Sequence, residues 1–130
     1  MNKVEKDLLL QAHIASEKAY APYSKYHVGA ALLTTDGTVF TGCNIENASY
    51  SLTLCAERTA VCKAVSEGYT SFDVIAIYVD APQLFPPCGA CRQVLAEFNP
   101  TIKIIYANAK ETVETSLDVL LPSHFILADD

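Results

Sequence analysis

Basic residues are scarce in this chain of 130 residues. Nine Lys and Arg stand against 15 Asp and Glu, which gives a formal net charge of −6. The chain therefore lacks the broad cationic surface that grips a phosphate backbone, and we expect no polynucleotide partner. Long apolar runs are also missing, since the longest stretch, residues 74–79, is far too short to span a bilayer. We expect no membrane partner, no export signal and a cytoplasmic location.

Charged residues are few, at 18% of the chain, whereas 51% of the residues are hydrophobic. This composition is too apolar for a disordered segment and supplies enough side chains for a packed core. The length falls within the usual range for one folding unit. We therefore predict a single domain over residues 1–130.

The number of cysteines is odd, so they cannot all pair in disulfides. The five are Cys43, Cys55, Cys62, Cys88 and Cys91. A disulfide framework would leave one of them unpaired and would not suit a reducing cytoplasm. The cysteine count therefore favours metal or thiol chemistry.

The apolar spacing and the turn residues predict helices over residues 4–20, 54–68, 87–99 and 115–122, the last opened by a weak capping box at 115–118. Strands are predicted at 28–34, 39–45, 72–79 and 102–106, the first two joined by a hairpin at Asp36-Gly37. The order αββαβαβα favours an α/β domain with helices on both faces of a mixed sheet.

Three cysteines fall at the starts of two predicted helices. Cys55 opens one helix, and Cys88 and Cys91 open the next. Helix N-termini stabilise thiolates, and three thiolates gathered at one place require a cation. Zinc, with its tetrahedral preference, is the expected ion, and three protein ligands leave its fourth position open to water.

The other two cysteines are poor candidates for a fourth ligand. Cys62 lies two helical turns beyond Cys55, about 10.5 Å along the axis, whereas two sulfurs on one zinc lie at most about 4.6 Å apart. Cys43 ends a predicted strand, where a free cysteine is commonly a small buried hydrophobe. We therefore expect an open, catalytic type of zinc site.

Two charged residues follow Cys55 closely. At the helix entry Glu57 can reach a metal-bound water without being a ligand, which suits a general acid and base. It could equally be an ordinary carboxylate favoured by the helix dipole. Arg58 could donate to the ligand sulfurs and offset their negative charge, or it could be a surface arginine.

Several segments in one order carry a resemblance that covers nearly the whole chain. The matching segments are residues 19–24, 28–32, 42–48, 55–60, 87–94 and 120–122. The most specific are Cys-Ala-Glu-Arg and Pro-Cys-x-x-Cys, whose first cysteines are 33 residues apart. The chain closely resembles the cytidine deaminases of the small, free-nucleoside type, whose zinc signature includes a glutamate that is not a ligand.

The resemblance implies a three-layer α/β/α domain with a central mixed five-stranded sheet. It also implies one Zn²⁺ per subunit, held by Cys55, Cys88 and Cys91, and hydrolysis of cytidine and 2′-deoxycytidine to uridine and 2′-deoxyuridine with release of ammonia, in pyrimidine salvage. Glu57 would shuttle protons for a zinc-bound hydroxide that attacks C4, and Arg58 would lie behind the ligand sulfurs.

The resemblance assigns the remaining substrate contacts too. Asn44 and Glu46 would bind the ribose hydroxyls, and the backbone N–H of Ala56 would hold the base. Tyr26 stands where the family often has Phe, so its ring can pack on the base but its hydroxyl needs a partner. Phe125 resembles an aromatic that closes the pocket of a neighbouring subunit, which implies a homotetramer. From position alone, Asn44 and Glu46 could be turn residues and Phe125 local core.

Competing interpretations remain. Cys88-Gly89-Ala90-Cys91 at a helix start is also typical of a thiol–disulfide oxidoreductase, although that leaves residues 55–58 unexplained. A structural zinc module that binds nucleic acid would need a fourth cysteine ligand and a basic face. Within the deaminases, a polynucleotide or a nucleoside antibiotic is an alternative substrate, although Asn44-Ile45-Glu46 favours a free nucleoside.

Overall fold

A computed structural model describes residues 1–127 of the chain. Four helices, five strands and one short 3₁₀ turn make up the elements of these residues. In chain order they are α1 (Lys3–Ser16), β1 (Val28–Thr34), β2 (Val39–Cys43), the 3₁₀ turn (Tyr50–Leu52), α2 (Ala56–Ser66), β3 (Phe72–Val79), α3 (Gly89–Phe98), β4 (Lys103–Ala107), β5 (Thr112–Ser116) and α4 (Leu117–Leu120).

The strands form one mixed sheet in the order β2-β1-β3-β4-β5. β3 and β4 are parallel, and each of the other neighbouring pairs is antiparallel. β1 and β2 form the predicted hairpin, in which Gly37 adopts a φ of 93° that suits glycine in a tight turn. The predicted mixed five-stranded sheet is confirmed.

Helices cover both faces of the sheet because the strands are apolar on both sides. On one face Leu8 and Ala12 of α1 pack against Ala76 of β3. On the other face Ala60 of α2 and Leu95 of α3 belong to a cluster with the strand residues that point the opposite way. The predicted three-layer α/β/α arrangement is therefore confirmed.

Two glycines let the helices approach the hairpin closely. A Cβ at Gly29 would lie 1.9 Å from the carbonyl oxygen of Ala12 in α1. A Cβ at Gly42 would lie 2.5 Å from both the Ala56 oxygen and the Ala60 nitrogen in α2. Because these neighbours are backbone atoms, the first turns of α2 can rest on β2 only if residue 42 has no side chain.

The predicted elements differ from the observed ones in their bounds and in one strand. α1 ends at Ser16, before the predicted residue 20, because Tyr20 donates its N–H to Asn44 and pairs with the chain after β2. The resemblance implied a fifth strand, but the residue pattern did not place it at β5. The capping box predicted at residues 115–118 does not form, because Thr115 belongs to β5 and Ser116 makes no side-chain capping bond.

None of the helices in residues 1–127 combines the length and the apolar composition required to cross a bilayer.

Candidate metal centre and adjoining cavity

The start of β1 and the ends of β2 and β3 meet at one end of the sheet. Gly29 pairs with Cys43 across the hairpin, and Val28 pairs with Val79. Two helices begin nearby, with Cys55 as the N-cap of α2 and Cys88 as the N-cap of α3. Neither sulfur makes a capping bond to its own helix, so both thiols are available to a ligand.

The sulfurs of Cys55, Cys88 and Cys91 lie within 4.8 Å of one another. Those of Cys55 and Cys88 are 3.7 Å apart, close to the about 3.8 Å that tetrahedral zinc with Zn–S bonds of about 2.3 Å requires. Neither Cys43 nor Cys62 joins this cluster in residues 1–127. The donor set therefore fits zinc with three protein ligands, and the structure brings together the ligands predicted from the sequence.

The charges around the cluster favour a thiolate on Cys55. A hydrogen bond from the Cys91 thiol, together with Arg58, lowers the pKa of Cys55 to about 5 despite partial burial. The pKa of Cys91 is raised because its thiol donates to Cys55 and is buried. The hydrogen bond that Arg58 donates to Cys55 raises the pKa of Arg58, which remains a cation.

Glu57 lies in the first turn of α2 and is only 5% exposed. Burial, with a smaller contribution from the neighbouring Cys55 thiolate, raises the pKa of Glu57 to about 7. A carboxyl group with this pKa exchanges protons readily near neutral pH. Glu57 lines the same cavity as Cys55 and Cys88.

The cavity beside the sulfurs has a volume of about 220 Å³. Among its walls are six residues that the sequence singled out: Tyr26, Asn44, Cys55, Ala56, Glu57 and Cys88. Its other walls include Ser24, Phe85 and Pro86, which sequence reasoning missed. The one available signal for Phe85 was an aromatic residue followed by two prolines, directly before Cys88.

Tyr26 forms an aromatic wall with Phe85. The two rings meet edge to face with centroids 4.9 Å apart. The side-chain amide of Gln83 donates to the Tyr26 hydroxyl at 3.2 Å. The hydroxyl that distinguishes this residue from Phe therefore has the partner that the sequence required.

Asn44 follows β2 and holds the chain across the mouth of the hairpin. Its Oδ1 accepts from the Val28 N–H at 2.9 Å, and its Nδ2 donates to the Tyr26 carbonyl at 2.8 Å. These bonds fix the start of β1 beside the aromatic wall. Asn44 lines the cavity while it does so.

Glu46 is buried one step behind the cavity wall. Its Oε1 accepts from the N–H groups of Tyr23 and Ser24 at 2.9 and 3.1 Å, and its Oε2 accepts from the Ser24 hydroxyl. The Ser24 hydroxyl is the main reason why the pKa of Glu46 is lowered. In this structure the carboxylate orders the segment before Tyr26, and its contact with ribose stays a prediction.

Phe125 projects from the C-terminal segment and is 69% exposed. The segment is held to α3 through its backbone, because the Gln93 side chain donates to the Phe125 carbonyl at 3.0 Å. Phe125 is not among the residues that line the cavity of its own chain. It is not local core either, which leaves the ring available to another molecule.

Comparison with known proteins agrees with this geometry. The family described as the cytidine and deoxycytidylate deaminase zinc-binding region matches residues 2–108. A cytidine deaminase of Sporosarcina psychrophila is 52% identical over 128 residues, which is 97% of this chain and 93% of that protein. The crystal structure of a cytidine deaminase from Burkholderia pseudomallei superposes with a TM-score of 0.89 at 47% identity, covering 96% of this chain and 100% of the other.

A more distant relative is named for a different substrate. A blasticidin-S deaminase of Bacillus cereus is 32% identical over 131 residues, covering 93% of each chain. The higher identity therefore lies with the proteins that are named for cytidine.

Proposed function

Because the chain belongs to the family of cytidine and deoxycytidylate deaminases, we propose that it hydrolyses cytidine and 2′-deoxycytidine to uridine and 2′-deoxyuridine with release of ammonia. It is a zinc-dependent deaminase of cytosine nucleosides. The observation that carries the proposal is a cluster of three cysteine sulfurs, two of whose residues line one cavity together with the buried Glu57.

Cys55, Cys88 and Cys91 would hold the metal. When bound, Zn²⁺ would supply the Lewis acidity that lowers the pKa of the attacking water. Three thiolates donate much negative charge, which by itself opposes that effect. Arg58 offsets part of this negative charge, because its Nη2 donates to the Cys55 sulfur at 3.5 Å.

Glu57 moves the protons of the reaction. Its carboxylate takes a proton from the attacking water and delivers it to N3 of the cytosine ring. As the C4–N bond breaks, it transfers the second proton of that water to the departing amino group, which leaves as ammonia while the oxygen remains on C4. The burial that raises its pKa to about 7 suits both directions of transfer.

The remaining walls orient the nucleoside. The N–H of Ala56, in the first turn of α2, has no partner within the helix and can donate to the base. The ring of Tyr26 packs against the base, and Asn44 and Glu46 contact the ribose hydroxyls. For Glu46 this requires its carboxylate to share its oxygens with the segment at Tyr23 and Ser24.

The working form that we propose is a homotetramer in the cytoplasm, acting in pyrimidine salvage. The exposed apolar side chains of Phe125, Ile126 and Leu127 support an assembly that covers them, because such a run is unfavourable in water. In the tetramer Phe125 closes the cavity of a neighbouring subunit.

The test combines two measurements on one sample purified without added zinc. We expect about one equivalent of zinc per chain by elemental analysis, and loss of ultraviolet absorbance when the protein is incubated with cytidine. Blasticidin S assayed in parallel serves as the alternative substrate. Absence of zinc together with a reversible disulfide between Cys88 and Cys91 would instead establish the redox function and refute hydrolysis.

A further inference from the structure

The loop between β3 and α3, residues 80–88, carries two parts of the site but has no regular secondary structure. Phe85 forms part of the aromatic wall, and Cys88 is a sulfur ligand. Their positions therefore depend on what anchors the loop. The two ends are fixed by hydrogen bonds, one from the Asp80 N–H to the His27 carbonyl and one from the Arg92 Nε to the Pro87 carbonyl.

The early part of the loop is anchored by Asn108, which directly follows β4. Its Nδ2 donates to the carbonyls of Ala81 and Pro82 at 3.2 and 3.1 Å. Its Oδ1 accepts from the N–H groups of Lys110 and Glu111 at 2.9 and 2.8 Å. The side chain is 7% exposed, and all of its donor and acceptor groups are engaged.

These hydrogen bonds tie the loop to the central sheet. The turn that Asn108 caps joins β4 to β5, and β4 is the parallel neighbour of the central strand β3. The carbonyls of Ala81 and Pro82 would otherwise need water as a hydrogen-bond donor. They accept instead from a buried side-chain amide next to the sheet. Asn108 itself contacts neither the sulfurs nor the cavity.

We propose that Asn108 is a positioning residue for the deamination reaction, which sets the placement of Cys88 and Phe85 through the loop carbonyls. The inference rests on the proposed function, because it assigns Asn108 to the zinc site and nucleoside cavity described above. It predicts that loosening this anchor speeds the loss of zinc and weakens nucleoside binding more than it slows the chemical step.

The main variant is Asn108→Asp, which changes one side of the anchor only. A carboxylate still accepts from Lys110 and Glu111, but it cannot donate to Ala81 and Pro82 and repels their oxygens. Asn108→Ser is the second variant, since its hydroxyl can cap the turn but is too short to reach the loop. It introduces no buried charge, so it tests the anchor even if the first variant fails to fold.

Asn99 provides a matched control. Its Nδ2 donates to the Phe72 carbonyl at 2.8 Å, and its Oδ1 accepts from the N–H and the hydroxyl of Thr101 at 3.0 and 3.1 Å. The chemistry is that of Asn108, but Phe72 begins β3 at the end of the sheet away from the sulfurs. Asn99→Asp therefore measures the general cost of losing such an anchor.

The experiment compares zinc-loaded wild type with the three variants in two assays. The first follows release of zinc to a colorimetric chelator, and the second measures kcat and KM with cytidine. Because each lost hydrogen bond is worth about a factor of five to ten, we expect the Asn108 variants to release zinc about five- to tenfold faster and to raise KM more than they lower kcat. Asn99→Asp should lower the melting temperature and leave both assays unchanged.

Zinc release and KM within twofold of wild type in the Asn108 variants would overturn the inference, and so would equal changes in Asn99→Asp. The two proposals can fail separately. If wild type does not convert cytidine, the proposed function is wrong, whereas the comparison of zinc release still decides whether Asn108 positions Cys88.

Discussion

The guanidinium of Arg58 donates from one nitrogen, Nη2, to the sulfur of Cys55 at 3.5 Å and to the Thr53 carbonyl at 3.3 Å. Its Nε is buried and finds no hydrogen-bond partner within residues 1–127. Burying the Nε without a partner costs free energy. The hydrogen bond from Nη2 to the Cys55 sulfur offsets part of that cost. This contact supports the proposed place of Arg58 behind the ligand sulfurs.

Arg58→Ala should lower kcat or zinc affinity by about tenfold to a hundredfold, the range for residues that support metal ligands. The reason is that the negative charge of the thiolates is no longer offset. Steady-state kinetics and zinc titration check this. Arg58→Lys, which keeps the charge but loses the planar donor, should recover part of the loss. If both variants match wild type, Arg58 has no role at the metal.

Glu57→Gln should retain zinc and lose about two to four orders of magnitude in kcat, because an amide cannot shuttle the protons. Metal analysis and turnover of cytidine measure the two effects on one preparation. Glu67→Gln, an exposed glutamate that caps the end of the same helix, is the control and should keep normal activity. Near-normal turnover by Glu57→Gln would refute its assigned role.

If the proposed tetramer shares its cavities between subunits, Phe125→Ala should raise KM for cytidine without changing the assembly state, because each cavity then loses one wall. Light scattering of the same samples gives the assembly state. An unchanged KM, or full activity in isolated wild-type monomers, would contradict the shared cavity.

Gly42→Ala should destabilise the fold by about 1–3 kcal/mol and disturb the metal centre. The added Cβ meets backbone atoms of Ala56 and Ala60 at 2.5 Å, so α2 must move away from β2. Gly89→Ala is the control, since its Cβ would meet no heavy atom of residues 1–127 within 4 Å apart from its chain neighbours and the backbone of its own helix. Thermal melting and zinc titration of both variants test the expectation, which fails if the two behave alike.

The stability of the fold should depend on pH through Glu5. The ammonium group of Lys103, 2.8 Å away, is the main reason why the pKa of this carboxyl lies below its ordinary value of 4.5. A lowered folded-state pKa stabilises the protein above pH 4.5 and ceases to do so as the pH falls through the folded value. The melting temperature of Glu5→Gln should therefore lie below that of wild type at pH 7. The gap should narrow below pH 4.5, and a gap that is independent of pH would exclude this ion pair as its source.

The sequence predicted those parts of the fold whose signals are local. β1 and β3 have the predicted bounds because each is a buried apolar run that ends at polar or turn residues. β5 was missed because it is an edge strand of threonine, serine and glutamate in which Val113 is the one apolar residue and is only half-buried. Its pairing with β4 stabilises it, and that pairing is not encoded in periodicity.

The residues of the site also fall into those with a local sequence signal and those brought together by long-range packing. Cys55, Glu57 and Arg58 lie within one helical turn, so spacing and helix polarity suffice to group them. Gln83 supports Tyr26 from 57 positions away, and Asn108 reaches Ala81 across 27 positions. Such contacts arise from the packing of the whole sheet. Neither the residue type nor the local sequence pattern predicts them. The same holds for the interior bonds of Glu46, a residue that the sequence marked for a different partner.

The sulfurs of Cys55 and Cys88 are supplied by two helices whose first residues are 33 positions apart, with the central strand between them. A zinc ion bound to both sulfurs would crosslink the two helices in addition to its role in the reaction. Since the unfolded polypeptide cannot present the same trio, the binding free energy of the metal adds to the conformational stability of the domain. Chelation should therefore lower resistance to denaturants and proteases together with turnover, and the supply of zinc would govern how much of this protein stays folded.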